Sequence, residues 1–350
     1  MKDGYAAFLL SFCLHRFNGE RSLAAVYHLF SGKKSAQTLQ DSKWFQLAPF
    51  FGVWKDITFS EIEAAAQSLF ENGLIVPVQN RAYILTEKGK RWLDEQLQRT
   101  FFPTHLNGWR YHDLEKWFWY RLSLLVQTLS NLLHHTSFEP IHRHEKTLMW
   151  VKRYLLSQRR TVRTLAETLY GELYRLLDDV SEEEATVFTL RLTSYARIGW
   201  TNEQIASYLQ KDRVCVQFQF QNVLHYMMAS AEADRSSILY ELMHGLSLPI
   251  PLTLSAQKTY EWLLRGKPLG EIARLRRLKR STIEDHVVEI AANIPQFSIA
   301  PFVHEKKAAK IIETARKLKT RKLKRIRDAI GDDVSYFEIR LVLAKEGEMW

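Results

Sequence analysis

The chain has 350 residues, with 49 Lys and Arg against 39 Asp and Glu, a formal net charge of +10 at pH 7. Its 46% hydrophobic and 25% charged content is that of a packed globular protein rather than a disordered one. Only 14 Gly and 9 Pro argue against a turn-rich all-β fold and for a mainly α-helical one, and no apolar run reaches the ~18 residues of a membrane span.

Tyr5–Leu14 reads as an amphipathic first helix. It follows Lys2 and imitates a signal-peptide core, but it runs into His15 and Arg16 without a small-residue cleavage site. Cys13 and Cys215 match no metal spacing, so neither a disulfide framework nor a cysteine zinc site is expected, and a reducing, cytoplasmic setting is.

Five segments read as capping boxes that open helices: Thr58/Glu61, Ser181/Glu184, Thr201/Gln204, Ser281/Glu284 and Ser335/Glu338. Residues 1–100 form the first expected domain. Helices over Glu20–Phe30, Ala36–Leu47 and Thr58–Phe70 precede two β-type runs, Leu74–Val78 and Ala82–Thr86, and Glu87–Arg99 closes the unit. That order is the order of a winged helix. Lys33 and Lys34, in the turn Gly32–Ser35, are its candidate phosphate contacts; the helix from Thr58 carries Glu61 and Glu63 and no base.

Residues 101–247 form an expected helical middle domain. Trp109, Trp117, Phe118, Trp119 and Tyr120 recur at helix-face spacing with Leu122, Leu125 and Val126, which predicts a packed core over a base-stacking role. His134, His135, His142 and His144 fall in a tract read as a surface loop; scattered solvent histidines are the expectation over a zinc site. Glu184–Met228 makes a second helix-turn-helix candidate, with a helix over Phe188–Ile198, a turn at Gly199–Thr201 and a Gln-rich third helix, Val214–Met228. With only Lys211 and Arg213 before it, that helix reads as structural or protein-binding rather than DNA-binding, although Gln217, Gln219 and Gln221 leave adenine reading open.

Pro249 and Pro251 mark a stiff linker into a third expected domain, 248–350. Here Leu254–Leu264, Leu269–Leu275 and Ser281–Ala292 have helix-turn-helix spacing. Arg274, Arg276, Arg277, Lys279 and Arg280 crowd the turn, while Glu284, Asp285 and Glu289 repel phosphate, so the pattern favours gripping the backbone over reading sequence. Ser281, Thr282 and His286 are the remaining candidates for contacts at the helix start. A single tail helix is predicted over His304–Ile330, with Lys310, Lys317, Arg321, Lys324 and Arg325 forming a basic stripe opposite an apolar arc that Lys319 and Lys322 interrupt. From Arg265 to Arg327 there are 18 bases against 6 acids, a net of +12, which leaves −2 for the rest of the chain. A polyanion partner is thus expected for the C-terminal end.

The runs Leu254–Tyr260, Ile272-Ala273, Arg277-Leu278, Ser281–His286 and Ile294–Ile299 resemble the helix-turn-helix domain appended to RecQ-type DNA helicases. The rest of the chain, including Gly32–Thr38, resembles the Bacillus YpbB-type proteins. This resemblance implies a helicase-associated, DNA-binding partner in repair or recombination and supplies no catalytic residue. Gly32-Lys33-Lys34-Ser35 is not a P-loop, since Lys34 stands where Ser or Thr belongs and Tyr27 where the first Gly belongs. The expectation is therefore a non-catalytic DNA-binding accessory protein of a RecQ-like helicase, without cofactor or metal and off the membrane. A sequence-specific transcription regulator is the alternative, and a nuclease a third reading. DNA versus RNA, strandedness and oligomeric state stay open.

Overall fold

The computed structural model describes residues 4–246, 252–318 and 320–346. It is mainly helical, and its described residues fall into two compact units. One is drawn from Met1–Ala6 and Asp94–Leu248, the other from Ala7–Leu93 and Pro249–Trp350. The first and last expected domains thus share one unit. The Pro249–Pro251 linker lies outside the described residues.

In the composite unit, all but the first turn of α1 (Gly4–Phe17), then α2 (Leu23–Ser31), α3 (Ala36–Trp44) and α4 (Phe59–Glu71) precede the antiparallel pair β1 (Ile75–Val78) and β2 (Ala82–Leu85), followed by the first half of α5 (Glu87–Arg99). The register pairs Ile75 with Leu85 and Val78 with Ala82, and Ser22 bridges to Ala82 on the far side. Helix, single bridge, helices and hairpin together have the winged-helix order. α4 starts where the sequence says it should: Thr58 Oγ1 accepts from the Glu61 N–H at 3.3 Å, and the Glu61 carboxylate accepts from the Thr58 N–H at 2.7 Å.

The first unit contains α6 (Gly108–Tyr111), α7 (Glu115–Leu133), α8 (Glu145–Ser157), α9 (Val162–Asp178), α10 (Glu182–Leu190), α11 (Asn202–Leu209), α12 (Arg213–Ala233) and α13 (Ile238–Met243). Phe118 and Trp119 lie in its core with Phe188 and Phe220, the packing role their spacing predicts. The expected Phe188–Ile198 helix is corrected, because α10 ends at Leu190. Beyond it the chain folds back, with the Gly199 N–H on Thr193 Oγ1 at 2.9 Å and Trp200 N–H on the Leu190 carbonyl at 2.8 Å. A Cβ at Gly199 would stand 2.1 Å from the Arg191 carbonyl oxygen, so only glycine fits this reversal.

The C-terminal part of the composite unit consists of α14 (Leu254–Leu264), α15 (Leu269–Arg276), α16 (Arg280–Asn293), α17 (Glu305–Leu318), α18 (Leu323–Ile330) and α19 (Tyr336–Glu346). α16 is its central helix and packs on α14, α15, α19 and α3. The single tail helix is also corrected: it breaks between Leu318 and Leu323. Thr320 there is buried and its hydroxyl donates to Glu20 Oε1 at 2.9 Å, while the Arg321 N–H reaches the same carboxylate at 3.3 Å. An acceptor far up the chain thus takes backbone and side-chain donors at the break.

Candidate nucleic-acid interface

The site is the turn between α15 and α16. Arg277 closes α15 in the left-handed region at φ 52°, and Leu278 turns inward onto Ile272, Ala273 and Ile283. Because the turn is this short, α16 begins at Arg280 with Lys279 as its N-cap, and no side chain caps it. The expected Ser281/Glu284 capping box is thereby corrected: Ser281 sits inside the first helical turn. The other four boxes form, including Ser335/Glu338 at the start of α19.

An uncapped N-terminus leaves its first N–H groups and the positive end of the helix dipole to solvent, a ready site for a phosphate. Arg274, Arg277, Lys279, Arg280 and Ser281 are exposed around it. Among the described residues Arg274, Arg277 and Lys279 have no ion-pair partner. Arg280 Nε meets Glu284 Oε1 at 3.1 Å, but its side chain is 73% exposed, and such a surface pair contributes little.

Two expected contacts are instead structural. Arg276 turns back onto α14, donating Nη1 to the Ser255 carbonyl at 2.6 Å and to the Thr259 hydroxyl, and Nη2 to Ser255 Oγ at 3.0 Å. His286 is buried, with Nδ1 2.8 Å from Thr259 Oγ1. Burial, and then the nearby Arg276 charge, hold its imidazole below the ordinary range. Thr282 is half-buried, and α16 from His286 to Ala291 is buried throughout. Only one turn of α16 faces solvent. Such a helix brings cations to phosphates but offers little surface to base edges.

Lys310, Lys317, Lys324 and Arg325 are exposed on α17 and α18, and Lys310 Nζ also reaches the Ile330 carbonyl at 3.3 Å. Both helices pack on α19, as α16 does. Arg321 departs from the expected stripe. It is buried, its guanidinium lies 5.4 Å from the Phe45 ring centre, and burial pulls its pKa to about 10. Sequence reasoning missed Lys306 and Arg316, which are exposed on α17, and placed Lys322 on the apolar arc, whereas it is the exposed N-cap of α18. Had the helix break been legible, Lys322 would have followed from it. Lys33 and Lys34 are exposed beside α3; Lys33 Nζ lies 3.3 Å from His28 Nε2, and Lys34 exerts its charge on Glu289.

The other helix-turn-helix candidate offers no reading helix. α12 is a core helix: Gln219 donates to Glu183 at 2.5 Å and Gln221 to Glu115 at 3.2 Å, both from buried positions. The outer face of α4 shows Glu61, Glu63 and Glu71 and no cation. In the histidine tract each ring of three meets an aromatic: His134 stacks on Tyr195 at 3.4 Å, His142 on Tyr120 at 3.9 Å, and His144 meets Trp117 edge-on at 4.6 Å.

His142 Nε2 is also 2.9 Å from Ser123 Oγ, and burial lowers its pKa from 6.5 to about 4. A base with a depressed folded-state pKa contributes stability that is complete above its unfolded value and is lost as pH falls toward the folded one. Thermal melts should therefore show the wild type losing more stability between pH 7 and about 4.5 than His142→Gln, which has no proton to gain. Equal losses would assign the acid sensitivity elsewhere.

A family model described as a helix-turn-helix domain matches residues 255–343. Over 352 aligned residues, covering all of both chains, the sequence is 36% identical to Protein YpbB of Bacillus subtilis (strain 168). No solved structure matches it. Among the described residues no helix is long and apolar enough to cross a membrane.

Proposed function

The chain belongs to the YpbB family, and from that premise we propose that it is a non-catalytic DNA-binding accessory protein. It grips the phosphate backbone through the α15–α16 turn, largely regardless of sequence, and serves a RecQ-like DNA helicase in repair or recombination in the cytoplasm. One observation carries the DNA-binding part: an uncapped helix N-terminus inside a helix-turn-helix domain, ringed by Arg274, Arg277, Lys279 and Arg280. The helicase part is supported by the resemblance of residues 248–350 to the domain appended to RecQ-type helicases. The burial of α16 beyond its first turn weighs against the alternative of a sequence-specific regulator.

Two measurements test the reading. Duplexes of unrelated sequence should bind with similar affinity, with a steep loss on added salt; preference for one operator would favour the regulator. The RecQ-like helicase should co-purify after nuclease treatment, and its loss on that treatment would reduce the association to shared DNA.

A further inference from the structure

The −2 carried outside the basic C-terminal stretch conceals a second concentration of charge. From Arg143 to Arg175 there are eight Lys and Arg and three Asp and Glu. One of the three acids, Glu172, is buried and accepts from the Ile238 and Leu239 N–H groups at 2.9 and 3.2 Å, so it does not offset the surface bases. Lys152 and Arg153 late in α8, Arg159 and Arg160 in the connection, and Arg163 in the first turn of α9 are all exposed. Among the described residues none of these five has an ion-pair partner.

α9 adds aromatic rings to this corner. Tyr170 and Tyr174 lie seven and eleven residues beyond Arg163, which at ~100° per residue puts all three within about 20° of one line along the helix. The two rings are 68% and 58% exposed, with centres 6.0 Å apart and planes 33° from parallel. Placing two neighbouring tyrosines in water buries little apolar area and therefore adds little to folding. Rings beside unpaired cations are instead the equipment with which proteins hold single strands: the cations track the phosphates and the rings stack on unpaired bases. An acidic protein surface could take both the arginines and the rings, but its binding would not depend on the bases of a strand, which separates the two.

We propose that the α8–α9 corner is a second nucleic-acid site, taking single-stranded DNA on Arg159, Arg160, Arg163, Tyr170 and Tyr174. It rests on the DNA-binding reading above and extends it from duplex to unpaired strand. The test uses the full chain and fluorescence anisotropy with three probes: an oligothymidylate of about 20 nucleotides, an abasic strand of equal length and a duplex. Tyr170→Ala with Tyr174→Ala should weaken oligothymidylate binding about tenfold, ~1.4 kcal/mol, and leave the abasic strand unchanged. Phenylalanine at both positions should restore binding, since it stacks without the hydroxyl.

Arg159→Glu, Arg160→Glu and Arg163→Glu together should weaken both single strands more than the duplex. Unchanged oligothymidylate affinity in this triple variant would overturn the proposal, as would equal loss on the abasic strand in the tyrosine variant. Loss of an acidic protein partner with strand binding intact would overturn it in favour of a protein surface. The α15–α16 turn is read separately through the duplex, so either site can fail alone.

Discussion

Replacing Arg274, Arg277, Lys279 and Arg280 together by Gln should cut duplex affinity on the order of 100-fold at moderate salt, and by the same factor on unrelated sequences. The size follows from counterion release: each neutralised phosphate contributes ~0.9 to the slope of log affinity against log salt, so four contacts should flatten that slope by about 3.6. The four side chains are exposed and at most one is ion-paired, so the variant should keep its fold. Arg276→Gln is the control. Its guanidinium is already committed to Ser255 and Thr259, so its loss should lower thermal stability and leave the salt slope in place. An unaltered slope in the fourfold variant would falsify the turn as the phosphate grip.

Arg21→Ala should cost about 3–5 kcal/mol of stability, measured by chemical denaturation. Arg21 clasps Asp41 with two bonds, Nε to Oδ2 at 2.8 Å and Nη2 to Oδ1 at 2.7 Å, and its guanidinium sits 5.0 Å from the Phe45 ring centre. Asp41 is buried, and burial holds its carboxyl above the ordinary range despite the Arg21 bridge. Removing the arginine leaves that carboxylate without its clasp. A raised carboxyl pKa means the folded state keeps its proton to higher pH, so the variant should regain stability as pH falls into the carboxylate range. Arg21→Leu with Asp41→Leu should restore most of the loss, because the desolvated charge leaves with its partner. A penalty independent of pH, or undiminished in the double variant, would point to packing rather than the ion pair.

Much of the fold could be read locally. A capping box needs two residues three apart, a hairpin two β-type runs around a turn, and a core stripe a helical period, so α4, the β1–β2 wing, the start of α10, α11 and the α7 aromatics are legible. Errors arose where a distant group intervened. Inward-turned Leu278 shortens the turn and moves the start of α16 ahead of Ser281. Glu20 takes the Thr320 hydroxyl and the Arg321 N–H where an apolar arc interrupted only by Lys319 and Lys322 predicts continuous helix. The structural reading of the Gln-rich helix agrees with its burial, which Glu183 and Glu115 permit by satisfying the amides of Gln219 and Gln221.

The sequence by itself determined that the protein is helical, that a helix-turn-helix lies near its C-terminus, and that its positive charge concentrates there. Charge and periodicity are additive properties of neighbouring residues and survive folding unchanged. Only the tertiary structure decided which of those charges face a partner. Arg276 and Arg321 carry the same formal charge as Arg274 and Arg325, yet Ser255 and Thr259 take the guanidinium of the first and the second is buried over the Phe45 ring. Whether a cation is spent on the protein or left for a phosphate depends on partners far away in the chain, and those partners meet only when it folds.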